Sequence, residues 1–283
     1  MTKIKIAIIA IARLENDYLK EWIEYHLGLG FSHIYIYDNS FGDEEKINYE
    51  HDCVTIIPAY NKIRFQKEAY GEGYEKYNSL YDYVCFIDID EFVKLNKNSK
   101  IQQYLARCPR NAECIRINWQ CYDDSGMIKR DTSVKVMEAF TNKIKTDNHQ
   151  SKSIIISGLS NIIFNSPHHA VYKDGNHLIT YDGNFNNITD YVKISAIRRP
   201  NNTCIFVPYI SYDLIQINHY RTKTLDEYMR TKLSRDDADR KNYARKISKE
   251  FFKYNQKTLE KIKYYNEHKK EFVKNKDSLE NFD

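Results

Sequence analysis

Tyr83-Val84-Cys85-Phe86-Ile87-Asp88-Ile89-Asp90-Glu91-Phe92-Val93 is an apolar strand that runs directly into three carboxylates and then returns to apolar residues. Like charges gathered at the end of a buried strand are costly unless a cation offsets them. Oxygen ligands of this kind suit Mg²⁺ or Mn²⁺, which keep open positions for phosphate oxygens. A diphosphate bridged by such an ion becomes a good leaving group. The plain alternative is that Asp88, Asp90 and Glu91 are exposed caps of a strand end, because x-D-x-D patterns also arise by chance. The surrounding pattern decides between the two.

Upstream, residues 4–11 (IKIAIIAI) form the continuous apolar run of a strand covered on both faces. Tyr18, Leu19, Trp22, Ile23 and His26 recur at three- and four-residue spacing, which predicts a helix over 15–27 ended by Gly28 or Gly30. HIYIYDN (33–39) and CVTII (53–57) are the next strands, the latter stopped by Pro58. Phe65, Ala69, Gly73 and Tyr77 predict a helix from Arg64 to about Leu80, weakened by its two glycines; 83–90 is the fourth strand. This alternation predicts a parallel, Rossmann-like α/β sheet. Ligands bind such sheets at the carboxyl ends of the strands. Arg13 and Glu15, Asp38 and Asn39, and Asp88 and Asp90 fall at those ends.

Downstream, a helix is expected near Ile101–Arg107. Short strands are then expected at 114–122, 133–140, 152–157, 161–165, 169–173, 177–181 and 191–197, separated by Asn, Asp and Gly turns. From Leu225 onward the pattern is helical and charged. The expected division is a catalytic domain over 1–225 and a basic helical extension over 226–283.

The bulk composition narrows the class. A chain of 283 residues can bury a sizeable core, and a net charge of +4 demands no nucleic-acid partner. The positive excess lies wholly in residues 226–283, with 16 Lys and Arg against 12 Asp and Glu. Lys241, Arg245, Lys246, Lys249 and Lys253 suggest a basic helix face, which would pack on the domain, form a homodimer contact or rest on an anionic membrane. The six cysteines show no CxxC pair and fit a reducing compartment. The first apolar run is a core strand in pattern, with no cleavage site, and no stretch approaches a membrane span. The expected location is cytoplasmic, or peripheral on the inner face of the cell membrane.

Three segments carry a resemblance to a known family. They are Ala12 to His26 with Gly30 and His33 to Asn39, Phe86 to Phe92, and Gln216-Ile217-Asn218-His219-Tyr220 with Lys223 and Glu227. In order and spacing they resemble bacterial family-2-like glycosyltransferases related to glycosyltransferase family 92. The resemblance implies a GT-A fold, a nucleotide-sugar donor (a UDP-sugar is favoured), Mn²⁺ or Mg²⁺ at Asp88 and Asp90, and inversion at the anomeric centre. The leading expectation for the acceptor is a saccharide or lipid-linked glycan, in capsule or lipopolysaccharide biosynthesis. His219 matches a histidine that meets the metal or the diphosphate in many such enzymes; otherwise it is a core histidine.

Ile11, Ala12, Arg13 and Glu15 should face the nucleotide base and ribose, with Asp38 accepting a hydrogen bond and Asn39 beside it. Arg13 could equally pair with Glu15 or Asp38. Lys67, Asn78 and Lys152 are further donor-binding candidates, and His168-His169 could hold diphosphate or acceptor. Where relatives show an aromatic residue followed by Gly, this chain has Tyr122-Asp123-Asp124-Ser125-Gly126. An inverting transfer needs a carboxylate base; Asp90, Glu91, Asp123 and Asp124 are the catalytic candidates, with Asp174 and Asp182 further on. Asp123 and Asp124 could instead form a solvent turn. Two other classes stay open: a nucleotidyl- or phosphotransferase using the same acids, and a non-catalytic carbohydrate-binding module.

Overall fold

In a computed structural model of the chain, the described residues are 4–145, 149–198, 206–235, 246–272 and 279–282. The basic-face residues Lys241 and Arg245, and Cys204, lie outside them. The chain divides into two compact units. One comprises residues 1–120 and 147–218; the other comprises 121–146 and 219–283. Residues 226–283 fall in the second unit, together with 121–146 and 219–225.

The first unit is a mixed α/β structure. β1 (Ile6–Ala12), β2 (His33–Asp38), β3 (Val54–Pro58) and β4 (Tyr83–Phe86) stand in the order β3-β2-β1-β4, all parallel. β1 is buried along nearly its whole length, as its unbroken apolar run requires. α1 (Asn16–Leu29) follows β1 and ends on Gly30, whose φ of 107° is the left-handed conformation that a C-cap needs. α2 (Gln66–Tyr77) packs on β1. A Cβ at Gly73 would lie 2.9 Å from Ile9 Cδ1 and 3.3 Å from the Tyr37 hydroxyl, so this glycine permits the close approach of helix and sheet.

The strand expected over 83–90 stops at Phe86. Residues 87–90 turn, the Glu91 amide donates to the Asp88 carbonyl (3.1 Å), and β5 (Glu91–Leu95) departs in a new direction. After α3 (Ile101–Leu105) come β6 (Cys114–Cys121) and β7 (Ser151–Ile156), which pair antiparallel with each other. β7 also joins β4 antiparallel, closing the parallel half. The hairpin of β8 (Ile162–Ser166) and β9 (His169–Tyr172) stands apart, with β8 against α2. β10 (Thr180–Asp182) runs parallel to β6, and β11 (Ile215–His219) completes the sheet order β3-β2-β1-β4-β7-β6-β11-β5.

Two expected strands are helical. Within 133–140, the short helix α4 spans Val136–Ala139. Residues 191–197 fall within α5 (Thr189–Arg198), despite a β-branched composition. Ile188, Val192 and Ala196, four residues apart, pack together with Val207, while Ile194 and Ile197 face solvent. The burial period overrides the residue preference.

In the second unit, α6 (Leu225–Tyr228) starts with a capping box between Thr224 and Glu227 and continues into a π-helical turn over Met229–Leu233. With α7 (Ile247–Glu250) and α8 (Leu259–Phe272) it encloses Tyr228, Met229, Ile247, Phe251 and Tyr265. Glu227 also receives Arg130 at 3.0 Å, and Lys249 and Lys253 are exposed. Among the described residues no helix is long and apolar enough to cross a membrane.

Candidate active site

β1 sits between β2 and β4, so the chain leaves the centre of the parallel half in opposite directions. This is the topological switch point where open α/β sheets hold ligands. Register places the carboxyl ends of all four strands on one edge, with Ala12 opposite Asp38, Asp38 opposite Pro58, and Ile9 opposite Phe86.

The turn after β4 lies on that edge. Buried Ile87 and Ile89 anchor it, and the acids alternate with them. Asp88 is partly exposed, whereas Asp90 and Glu91 are buried. Asp88 Oδ1 accepts from Gln66 Nε2 (2.6 Å) and the Tyr70 hydroxyl (2.9 Å), and its Oδ2 accepts from Lys152 Nζ (2.9 Å). The Asp88 amide donates to Glu91 Oε2 (3.0 Å), which also lies 3.8 Å from Lys152 Nζ. Lys152 is fully buried on β7.

The charges are strongly interdependent. Burial opposes ionisation of Asp88, but the Lys152 ammonium outweighs it and holds the carboxyl below its ordinary range. Burial pushes Glu91 well above its ordinary value. Lys152 stays above its own in spite of burial, because Asp88 and Glu91 face it. Glu91 Oε1 is buried without a hydrogen-bond partner. An orphaned carboxylate oxygen beside buried Asp90 is the donor chemistry that a hard dication satisfies, so the residues fit Mn²⁺ or Mg²⁺.

α1 fixes the strand that leaves the turn. Trp22 Nε1 donates to the Glu91 carbonyl (2.7 Å) and the Tyr25 hydroxyl to the Val93 carbonyl (2.7 Å). His26 Nδ1 donates to the Trp22 carbonyl (2.8 Å), and its Nε2 accepts from the Val93 amide (3.2 Å). Burial lowers the His26 pKa to about 3, so it serves as a neutral clamp.

The other expected donor residues divide. Ile11, Ala12 and Arg13 occupy the carboxyl end of β1, and Glu15, which is buried, follows them. Arg13 pairs with Glu45 (3.4 Å) and lies 3.7 Å over the Phe41 ring, the open choice having been between Glu15 and Asp38. Asp38 is fully buried; its carboxylate accepts from Ser40 N, Ser40 Oγ and Ile47 N, and so shapes the following loop. Asn39 donates to the Ala59 and Lys62 carbonyls. Lys67 lies half-buried on α2. Asn78 bonds the Tyr74 carbonyl and the Gly158 amide at the amino end of β4, opposite the acids.

In the second unit, Asp123 Oδ1 accepts from Ser125 N (2.8 Å). Asp124 is buried and bound by Lys261 Nζ and Gly126 N. His219 is buried at the end of β11. In the first unit, Asp182 is buried among Asn184 and Asn186, and Asp174 binds Asn176. His168 Nδ1 bonds the Ser151 carbonyl (3.0 Å), and its own carbonyl accepts from Arg116. Burial lowers the pKa values of His168 and His169 to about 3.

Gln66 and Tyr70 escaped the sequence reading. Their four-residue spacing on one helix face was the available signal, but only the fold aims that face at Asp88.

No family profile matches the chain. A glycosyltransferase family 92 protein of Ricinus communis is 22% identical over 193 residues, covering 63% of this chain and 33% of that protein. Another from Oryza sativa subsp. japonica is 25% identical over 182 residues, covering 60% and 30%. The chain thus spans about a third of the length of these relatives.

Proposed function

We propose that the chain is a glycosyltransferase of GT-A type that moves a sugar from a nucleotide-sugar donor, by preference a UDP-sugar, to a saccharide or glycoconjugate acceptor with inversion. The likeness to family 92 proteins supports a glycosyltransferase. The observation that carries the finer reading is the acidic turn at the switch point, with its orphaned Glu91 oxygen.

Asp90 and Glu91 Oε1 would hold Mn²⁺ or Mg²⁺, with His219 proposed from its sequence position as a further ligand. When bound, the ion offsets the charge that develops on the departing diphosphate. Lys152 keeps Asp88 ionised and oriented, Gln66 and Tyr70 fix its second oxygen, and α1 holds the backbone that carries Glu91. Ile11, Ala12 and Arg13 would line the nucleotide side. Surface polysaccharide synthesis at the cytoplasmic membrane face is the proposed setting, supported by exposed Lys249 and Lys253.

The test is release of nucleoside diphosphate from nucleotide sugars with Mn²⁺. Asp90→Ala should lower turnover by roughly a hundredfold or more, the scale of removing an electrostatic contact to the reacting centre, while circular dichroism stays unchanged. Release of pyrophosphate would favour a nucleotidyltransferase. Full activity of Asp90→Ala, or of the native chain in chelator, overturns the metal-dependent reading.

A further inference from the structure

A cleft of about 570 Å³ opens in the first unit, lined by Asn111, Ile179, the start of α5 and the Pro208-Tyr209 segment. It belongs to the β10 side of the sheet. β10 is three strand spacings from β4, through β6 and β7. At about 4.8 Å per spacing this sets it roughly 14 Å from the acidic strand. Asn111, just before β6, lies toward the edge opposite the acidic turn.

The lining has a consistent chemistry. Tyr191 and Tyr209, 39% and 43% exposed, present their rings at the wall of the cleft. Burial and the nearby Asp182 carboxylate raise the Tyr209 hydroxyl above its ordinary pKa, and that carboxylate is itself buried among Asn184, Asn186 and Ser211. Asn111 Oδ1 accepts from the Tyr181 hydroxyl (3.0 Å), and Asn187 Oδ1 accepts from the Thr189 amide (2.9 Å). Both carbonyl ends are committed, so the two NH₂ groups are the donors these side chains have left. Asp190 adds an acceptor, 4.0 Å from Lys193. None of the described lining residues is Lys or Arg.

Exposed ring faces bordered by amide donors and a carboxylate acceptor suit a ligand with apolar C–H faces and vicinal hydroxyls. We infer that this cleft is a second saccharide-binding site, separate from the acidic turn, that holds a neutral stretch of a glycan chain. It rests on the glycosyltransferase reading only for the identity of its use; binding itself requires no turnover.

The test uses the full chain on an immobilised array of neutral tri- and tetrasaccharides. The native protein should bind a subset of spots, and Asp90→Ala should bind the same subset. Tyr191→Ala, whose exposed ring carries no part of the core, should weaken those spots by about tenfold, the scale of one lost ring contact. Tyr209→Ala should do the same. Hydrolysis of nucleotide sugar by Tyr191→Ala should stay at the native rate. No bound spot, native-strength binding by Tyr191→Ala and Tyr209→Ala, or loss of binding in Asp90→Ala would each overturn the inference. Inactivity of the native chain toward every nucleotide sugar, with array binding kept, would overturn the enzyme reading and leave the cleft standing.

Discussion

Lys152 is the residue on which the acidic turn depends most directly. It is fully buried, 2.9 Å from Asp88 and 3.8 Å from Glu91. Removing one partner of a buried ionic group typically costs about 3–5 kcal/mol, because the remaining charge stays desolvated. Lys152→Met should lose stability on that scale in urea denaturation, and Mn²⁺ should raise its unfolding midpoint more than that of the native chain. A loss below about 1 kcal/mol would mean that the carboxylates are satisfied without it. His26 makes the complementary prediction. Its pKa of about 3 lies below the unfolded value of 6.5, so between these pH values the unfolded chain binds the extra proton. Stability is therefore complete above pH 6.5 and falls as the pH drops toward 3. His26→Gln should flatten the slope of unfolding free energy between about pH 6 and 4 by up to roughly 1.4 kcal/mol per pH unit. An unchanged slope would place the titrating group elsewhere.

At the level of elements, the periodic segments were the legible ones. The apolar run of β1 and the three- and four-residue spacing of α1 are direct consequences of burial on two faces and on one. The break after Phe86 was not legible, because Ile87 and Ile89 continue the apolar pattern although the backbone has turned; their burial stabilises the turn itself. α5 misled for the opposite reason: Tyr191-Val192-Lys193-Ile194 favours a strand by composition, and the helical period shows only when Ile188 and Ala196 are counted with Val192. The glycines of α2 argued against a helix, whereas Gly73 is there for the contact with Ile9 and Tyr37. Gly73→Ala raises helix preference, yet it should destabilise the chain by about 1–3 kcal/mol through overpacking. Thermal denaturation decides; a rise in midpoint would show that α2 can shift outward.

Across the whole molecule, the placement of Asp88, Asp90 and Glu91 at a strand's carboxyl end was readable from the β/α alternation. The partners supplied by Gln66, Tyr70 and Trp22 were not, since they come from helices distant in sequence. The division into units was also hidden, because nothing in the composition of 121–146 ties it to the C-terminal residues. A chain ended at residue 225 should therefore fail to fold properly: it lacks Tyr228, Met229, Ile247, Phe251 and Tyr265, and it leaves Asp124 buried without Lys261. Soluble yield and circular dichroism of that truncation measure this, and a fully soluble, native-like product would refute it. The same arrangement has a consequence on the ribosome. Asp124 emerges 137 residues before Lys261. At typical elongation speeds that interval lasts roughly 7 to 27 seconds. Throughout it the nascent carboxylate lacks its ammonium partner, so the second unit can close only after residue 261 has been made.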